Sequence, residues 1–201
     1  MIELFEKGGF LMWPIGLGAV LALAIFLERV YFLRRVGILP ERLKKKVREL
    51  IEEEKFSEAA VLCEQDRSAL ATILLTGLKL HNRTRERIRE AMSETGKSVA
   101  AELERYLSAL GTIASVSPLM GLLGTVTGMI GVFQQVTTEG VGDPRILASG
   151  IWEALITTAA GMTVAIPAYI GYRHLITRVD RLVLELEESS SESLDLIKRE
   201  D

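Results

Sequence analysis

From Ile146 to Tyr172 the chain runs for 27 residues, ILASGIWEALITTAAGMTVAIPAYIGY, with a single charge, Glu153. An α-helix needs roughly 20 apolar residues to cross a hydrocarbon core, so this run is long enough to span a membrane. A carboxylate inside such a helix costs a few kcal/mol even on lenient insertion scales, which makes Glu153 a candidate functional group. Small residues surround it, among them Ser149, Gly150, Ala154, Thr157, Thr158 and Gly161. They suit close helix packing or a polar wall, not a lipid face.

Two more uncharged runs share this property. Gly8–Leu27 has 20 uncharged residues. It is longer than a signal-peptide core, its flank MIELFEK is net acidic, and Arg34-Arg35 follows in place of a small-residue cleavage site. It therefore reads as a retained membrane helix, with Pro14 near the start, where a missing N–H matters least. Leu107–Thr138 has 32 uncharged residues. At about 1.5 Å per residue that is about 48 Å, more than the bilayer core requires. Upstream, Ile88, Met92, Thr95, Val99, Leu103, Tyr106 and Leu110 recur at helical spacing with no terminator. The pattern predicts one helix that opens at Thr84 and continues through the bilayer, kinked at Pro118. Its content of Gly121, Gly124, Thr125, Thr127, Gly128 and Gly131 again argues against a purely lipid environment.

Hydrophobic residues make up 48% of the chain and charged residues 25%, and the two are segregated. That split predicts a membrane protein with aqueous parts. Thr137–Arg145, TTEGVGDPR, is a turn by composition, so the second and third spans should pack antiparallel. In the charged stretch 34–106, Pro40 reads as an early helix residue, and Ser57 and Ser68 as N-caps. Past Tyr172, Ile176, Val179, Val183 and Leu186 keep helical spacing, so the third helix extends beyond the membrane. The tail EESSSESLDLIKRED is polar and is expected to fray.

Of 24 Lys and Arg, only Lys7 and Arg145 fall on the side of the N-terminus and the 137–145 turn. The positive-inside rule then places the N-terminus outside and the other basic residues in the cytoplasm. Trp13 and Trp152 mark the outer boundary; Tyr31, Tyr106, Tyr169 and Tyr172 mark the inner one. The expected architecture is an all-α membrane protein with three transmembrane helices. Helix 1 is 8–33, a cytoplasmic helical domain is 34–106, and helix 2 is 107–137. A periplasmic loop is 138–145, helix 3 is 146–172, and a cytoplasmic helical tail is 173–201. Helices 2 and 3 extend into the cytoplasmic part.

Other classes find no support. The single cysteine, Cys63, excludes an internal disulfide and reads as a buried small hydrophobe. His81 and His174 are too few for a metal cluster and read as solvated or interfacial. Net charge is −3, which gives no bias toward nucleic acid. No nucleotide loop or catalytic triad is present, so no enzyme activity, catalytic residue, metal or cofactor is expected. Lys44–Lys46 reads as an inner-leaflet anchor or a solvated face.

Thr125 lies 12 residues before Thr137, and Thr158 lies 12 residues after Ile146. Both are about 18 Å below the outer helix ends, a matching depth for one polar layer. Glu153 sits about 10 Å below that end. A five-residue step rotates about 140°, so Thr157 lies closer to the Glu153 face than Thr158 does. Plainer readings stand beside these. Glu153 can snorkel to the outer interface, and the two threonines can serve only to pack helices. Gly121, Gly124, Gly128 and Gly161 read as close-packing sites.

The segments SPLMGLLGTVTGMI (117–130) and GIWEALITTAAGMTVAIPA (150–168) together resemble the paired membrane helices of the ExbB/TolQ/MotA proton-channel family. Three spans and a large loop between the first two resemble ExbB and TolQ; MotA proteins have a fourth span. The resemblance implies a pore or proton-pathway role for Thr125, Thr158 and Glu153. It also implies a pentameric homo-oligomeric ring in the bacterial inner membrane around a single-span ExbD/TolR-like partner, with TonB or TolA beyond it. The transported ion would be H⁺, and proton-motive force would become work on the cell envelope. A passive membrane scaffold and a self-sufficient ion channel are the alternatives. The loop 34–106 matches no motif that separates ExbB from TolQ.

Overall fold

The computed structural model describes residues 9–139 and 144–198. The first eight residues with Lys7, the middle of the predicted turn (140–143) and the last three residues lie outside them. Eight helices follow in order: α1 Met12–Phe32, α2 Arg35–Ile38, α3 Glu41–Glu52, α4 Phe56–Gln65, α5 Ala69–Lys79, α6 Arg85–Glu104, α7 Leu107–Glu139 and α8 Pro144–Ile197. No strand occurs among the described residues. Three helical stretches are long and apolar enough to cross a membrane: α1, the part of 85–138 that holds α7, and α8. The protein is an all-α membrane protein.

The chain divides into two units, one of 1–28 with 106–174 and one of 29–105 with 175–201. In the first, α7 and α8 run antiparallel in a register set by glycines. A Cβ at Gly161 would fall 2.5 Å from the Ser117 carbonyl oxygen, and one at Gly121 would fall 2.9 Å from Thr158 Cα. A Cβ at Gly124 would fall 2.6 Å from Thr157 Cγ2, and one at Gly128 would fall 3.0 Å from Ala154 Cβ. Gly150 lies against the Val132 side chain. Going up α7 through 117, 121, 124, 128 and 132, the partners descend α8 through 161, 158, 157, 154 and 150. These α7 positions step by four and three, so they form one helical face. Helix α1 joins the pair through its own small and aromatic positions. A Cβ at Gly18 would fall 3.6 Å from Ile113 Cγ2, and Phe26 covers Gly171.

In the second unit α5 is buried nearly all round, through Leu70, Ala71, Ile73, Leu74, Gly77 and Leu78. Helix α3 buries one stripe, Leu43, Val47 and Ile51. Helix α6 buries Ile88, Met92 and Leu103, and Met92 lies over Gly77. The lower part of α8 buries Leu175, Val179, Leu182 and Leu186, at four- and three-residue steps. Two arginines close helix ends here. The buried Arg29 donates from Nη1 to the Glu102 carbonyl at 3.2 Å, near the end of α6. Arg178 Nε donates to the Leu33 carbonyl just past α1, at 2.8 Å. Both carbonyls lie at helix C-termini, where acceptors outnumber backbone donors; the Glu102 carbonyl also accepts from Arg105 N at 3.3 Å.

Four local expectations need correction. The helix expected from Thr84 through the membrane is broken: α6 ends at Glu104, and Tyr106 has φ +64 before α7 begins. That backbone is uncommon for a non-glycine residue, and no Gly or Pro signals it in the sequence. Tyr106 accordingly leaves the buried stripe and is 46% exposed. Ser57 is not a cap, because α4 starts one residue earlier, at Phe56, with Lys55 at the N-cap. Pro40 is the N-cap of α3 and not a residue within it. Finally, the polar tail is ordered to Ile197: Leu194 and Ile197 are buried, Lys44 pairs with Glu192 at 3.0 Å, and Arg85 with Asp195 at 2.5 Å. The apolar stripe simply continues under the serines. Ser68 and Thr84 do cap, accepting from Ala71 N and Arg87 N.

Candidate functional site

The close approach of α7 and α8 brings polar groups to fixed positions on either flank of their contact. Thr158 is half-buried, and its hydroxyl donates across the contact to the Gly121 carbonyl at 2.8 Å. Thr125, also half-buried, donates to the Leu122 carbonyl of its own helix at 2.7 Å. A carbonyl only accepts, so both hydroxyl protons are committed to backbone. What each hydroxyl has left to offer is an oxygen lone pair. Gly121 carries the Thr158 hydroxyl because it has no Cβ to hold α8 away.

Thr157 is 1% exposed and packs into the gap left by Gly124. Its hydroxyl donates to the Glu153 carbonyl one turn earlier, at 2.9 Å. The Glu153 side chain is exposed and reaches the Gly9 backbone: a Cβ at Gly9 would lie 2.9 Å from Oε1. Gly9 has φ +69, so any other residue is strained there. A cavity of about 420 Å³ opens at this place, lined by Gly9, Thr127, Gly128, Glu153 and Thr157 among others. The Thr127 hydroxyl donates to the Leu123 and Gly124 carbonyls.

The helix geometry separates the sequence candidates. Gly124 and Gly128 face α8. Thr125, one step from Gly124, and Thr127, one step before Gly128, turn about 100° to opposite sides of that line. On α8, Glu153 and Thr158 are turned about 140° apart. Glu153 thus shares its cavity with Thr127 and Thr157 on the flank where Gly9 lies, and Thr125 and Thr158 do not line it. Spacing alone indicated Thr157 beside Glu153. Thr127 and Gly9 were not singled out. The signal for Thr127 is its place between two glycines that face the neighbouring helix, and Gly9 has none beyond being glycine.

The remaining candidates are structural. Cys63 is 1% exposed, and burial, then Asp66, pushes its thiol up to about 11. His81 is half-buried, stacks on Phe56 at 4.9 Å, and its Nδ1–H donates to the Leu78 carbonyl at 2.9 Å. It closes the end of α5. His174 is exposed. No cluster of His, Cys, Asp and Glu able to hold a metal occurs among the described residues.

Comparison with known proteins places these helices in context. The model of the MotA/TolQ/ExbB proton channel family matches residues 65–188. The ExbB-like 1 biopolymer transport protein of Synechocystis sp. is 36% identical over 203 residues, covering 100% of this chain and 80% of that one. The biopolymer transport protein ExbB1 of Vibrio cholerae is 44% identical over 84 residues, 41% of this chain and 37% of that one. The Tol-Pal system protein TolQ of Haemophilus influenzae is 42% identical over 80 residues, 40% of this chain and 35% of that one.

Proposed function

Because the chain belongs to the MotA/TolQ/ExbB proton channel family, we propose that it is the channel subunit of a proton-driven envelope motor. It works with an ExbD/TolR-like single-span partner and turns proton-motive force into work, in a TonB-dependent or Tol-Pal type system. Several copies form a ring around the partner, pentameric as in the family resemblance. The membrane is the bacterial inner membrane, with the N-terminus periplasmic and the C-terminus cytoplasmic. The charge asymmetry supports that orientation, since 22 of 24 Lys and Arg lie on the proposed cytoplasmic side.

The observation that carries this reading is the glycine-set register, which puts the Thr125 and Thr158 hydroxyls on the same flank of the α7–α8 contact, about one helical turn apart, as one polar layer. Their protons rest on the Leu122 and Gly121 carbonyls, so the layer offers lone pairs. A protonated carboxyl or a hydronium can donate to such a layer; a carboxylate finds no proton there without breaking a hydrogen bond. The layer therefore favours the neutral form of a partner carboxyl as it passes, which is the form an apolar passage tolerates. Glu153, nearer the outer end and in its own cavity, is the group that meets protons first. Each charge moved through 100 mV releases about 2.3 kcal/mol, so a few protons suffice for a substantial step.

The test is work driven by proton-motive force in Thr125→Val with Thr158→Val, and in Glu153→Ala, with complex assembly followed in parallel. Loss of work with assembly intact supports the channel role; full work in both variants sinks it. The Thr158–Gly121 hydrogen bond also favours a second reading, a passive scaffold in which the hydroxyl only joins helices. On that reading hydroxyl removal loosens assembly, and proton-motive force has no effect.

A further inference from the structure

We propose that a pocket where α1 ends binds the phosphate of an anionic phospholipid of the membrane that α1 crosses. The uncharged run of α1 stops at Leu27, and Tyr31, Phe32 and Arg34 follow within two turns. They line a pocket of about 760 Å³ in the 29–105 unit, and Arg67 lines it too. Tyr31 is 70% exposed and Phe32 42%, large aromatic surfaces at the depth where such rings sit among headgroups. The Arg34 guanidinium lies over the Tyr31 ring, 4.6 Å from its centroid, a cation–π contact that helps hold it in place.

The charges around the pocket leave these two cations available. Among the described residues neither Arg34 nor Arg67 has a carboxylate partner. Glu102 lines the pocket, but its carboxylate is 3.2 Å from Arg105 Nη1 and its carbonyl accepts from Arg29. The Asp66 carboxylate, next to Arg67 in sequence, accepts from Ser68 N at 2.8 Å. Two guanidinium groups are suited to the paired oxygens of a phosphate diester. Apart from Thr72 the rest of the wall is apolar, including Ile38, Val99 and Leu103. A free phosphate has no use for that wall, whereas the glycerol and first acyl carbons of a lipid do. Gly37 leaves the pocket open: a Cβ there meets nothing within 4 Å. This inference is independent of the channel reading.

The experiment is native mass spectrometry of the full chain in detergent, with equal amounts of phosphatidylglycerol and phosphatidylcholine. Phosphatidylglycerol is expected to be retained in preference. Arg34→Gln with Arg67→Gln should reduce its retention about tenfold or more. Gly37→Leu, which fills the pocket without changing charge, should do the same. Far-UV circular dichroism equal to the parent's establishes that both variants are folded, as expected for exposed positions. Equal retention of the two lipids, or parental retention by both variants, overturns the proposal. An equal concentration of inorganic phosphate should leave the lipid bound; displacement would overturn the lipid in favour of a soluble phosphate.

Discussion

The Thr158 hydroxyl donates to the Gly121 carbonyl across the α7–α8 contact at 2.8 Å, with the Gly121 Cβ position only 2.9 Å from Thr158 Cα. One residue thus allows a close backbone approach, and its neighbour in space uses it. Hydrogen bonds of this kind between membrane helices contribute about 0.6 kcal/mol on average, so their removal alone does not unfold a helix pair.

That small value separates packing from transport. Thr158→Val should lower thermal stability in detergent by about 1 kcal/mol or less, while work driven by proton-motive force falls to background. Thr158→Ser keeps the hydroxyl and should retain most of the work. Equal activity of the Val and Ser variants would show that the oxygen lone pair has no part in transport.

Glycine substitutions should divide by what they meet. Gly161→Ala puts a methyl group 2.5 Å from the Ser117 carbonyl oxygen and 3.2 Å from Gly121 Cα, both backbone. Neither can rotate away, so a loss of about 3 kcal/mol is expected, read as a lower unfolding midpoint. Gly96→Ala, inside α6 with nothing within 4 Å, should instead stabilise by about 1 kcal/mol.

Cys63 offers a pH-dependent test outside the three long apolar helices. Its thiol is raised from 9.0 to about 11 by burial and by Asp66. The folded state therefore holds its proton more tightly than the unfolded state. Stability is unaffected below pH 9 and falls as pH rises between about 9 and 11. At pH 8 the native thiolate fraction is about a hundredth of the unfolded one, a two-unit shift. A thiol reagent should label Cys63 only after denaturant is added; Cys63→Ala should remove the alkaline loss.

The C-terminal segment should behave as core. Leu194 is 6% exposed under a serine-rich surface, so Leu194→Ala is expected to destabilise by about 2 kcal/mol or more. Asp195→Asn, which removes an exposed pair with Arg85, should change stability by no more than about 1 kcal/mol. Denaturant melts followed by far-UV circular dichroism would rank the two; the reverse order would mean that the tail is held by charge.

Much of the architecture was legible because the bilayer imposes a length. Uncharged runs such as Gly8–Leu27 and Leu107–Thr138 identify their helices whatever they pack against. The two caps Ser68 and Thr84 were legible for a similar reason: a cap hydrogen bond is local and satisfies a donor three residues on. Helix periodicity also indicated that Thr157 lies near the Glu153 face.

What lay beyond local chemistry was decided in three dimensions. The break at Arg105–Tyr106 carries no Gly or Pro, so its left-handed backbone has no signal in the local sequence. The tail is ordered because Leu194 and Ile197 find a surface to bury against, which composition does not reveal. The membrane site divides in the same way. The run from Ile146 to Tyr172 determined by itself that a carboxylate and a threonine pair sit in one helix. Only the packing of α7 on α8 decided that Glu153 lies with Thr127 and Thr157 on one flank, while Thr158 turns to the other and bonds to Gly121. The physical reason is that a helix sets angles between its own residues, but the rotation of one helix against another is set by which glycines let their backbones touch.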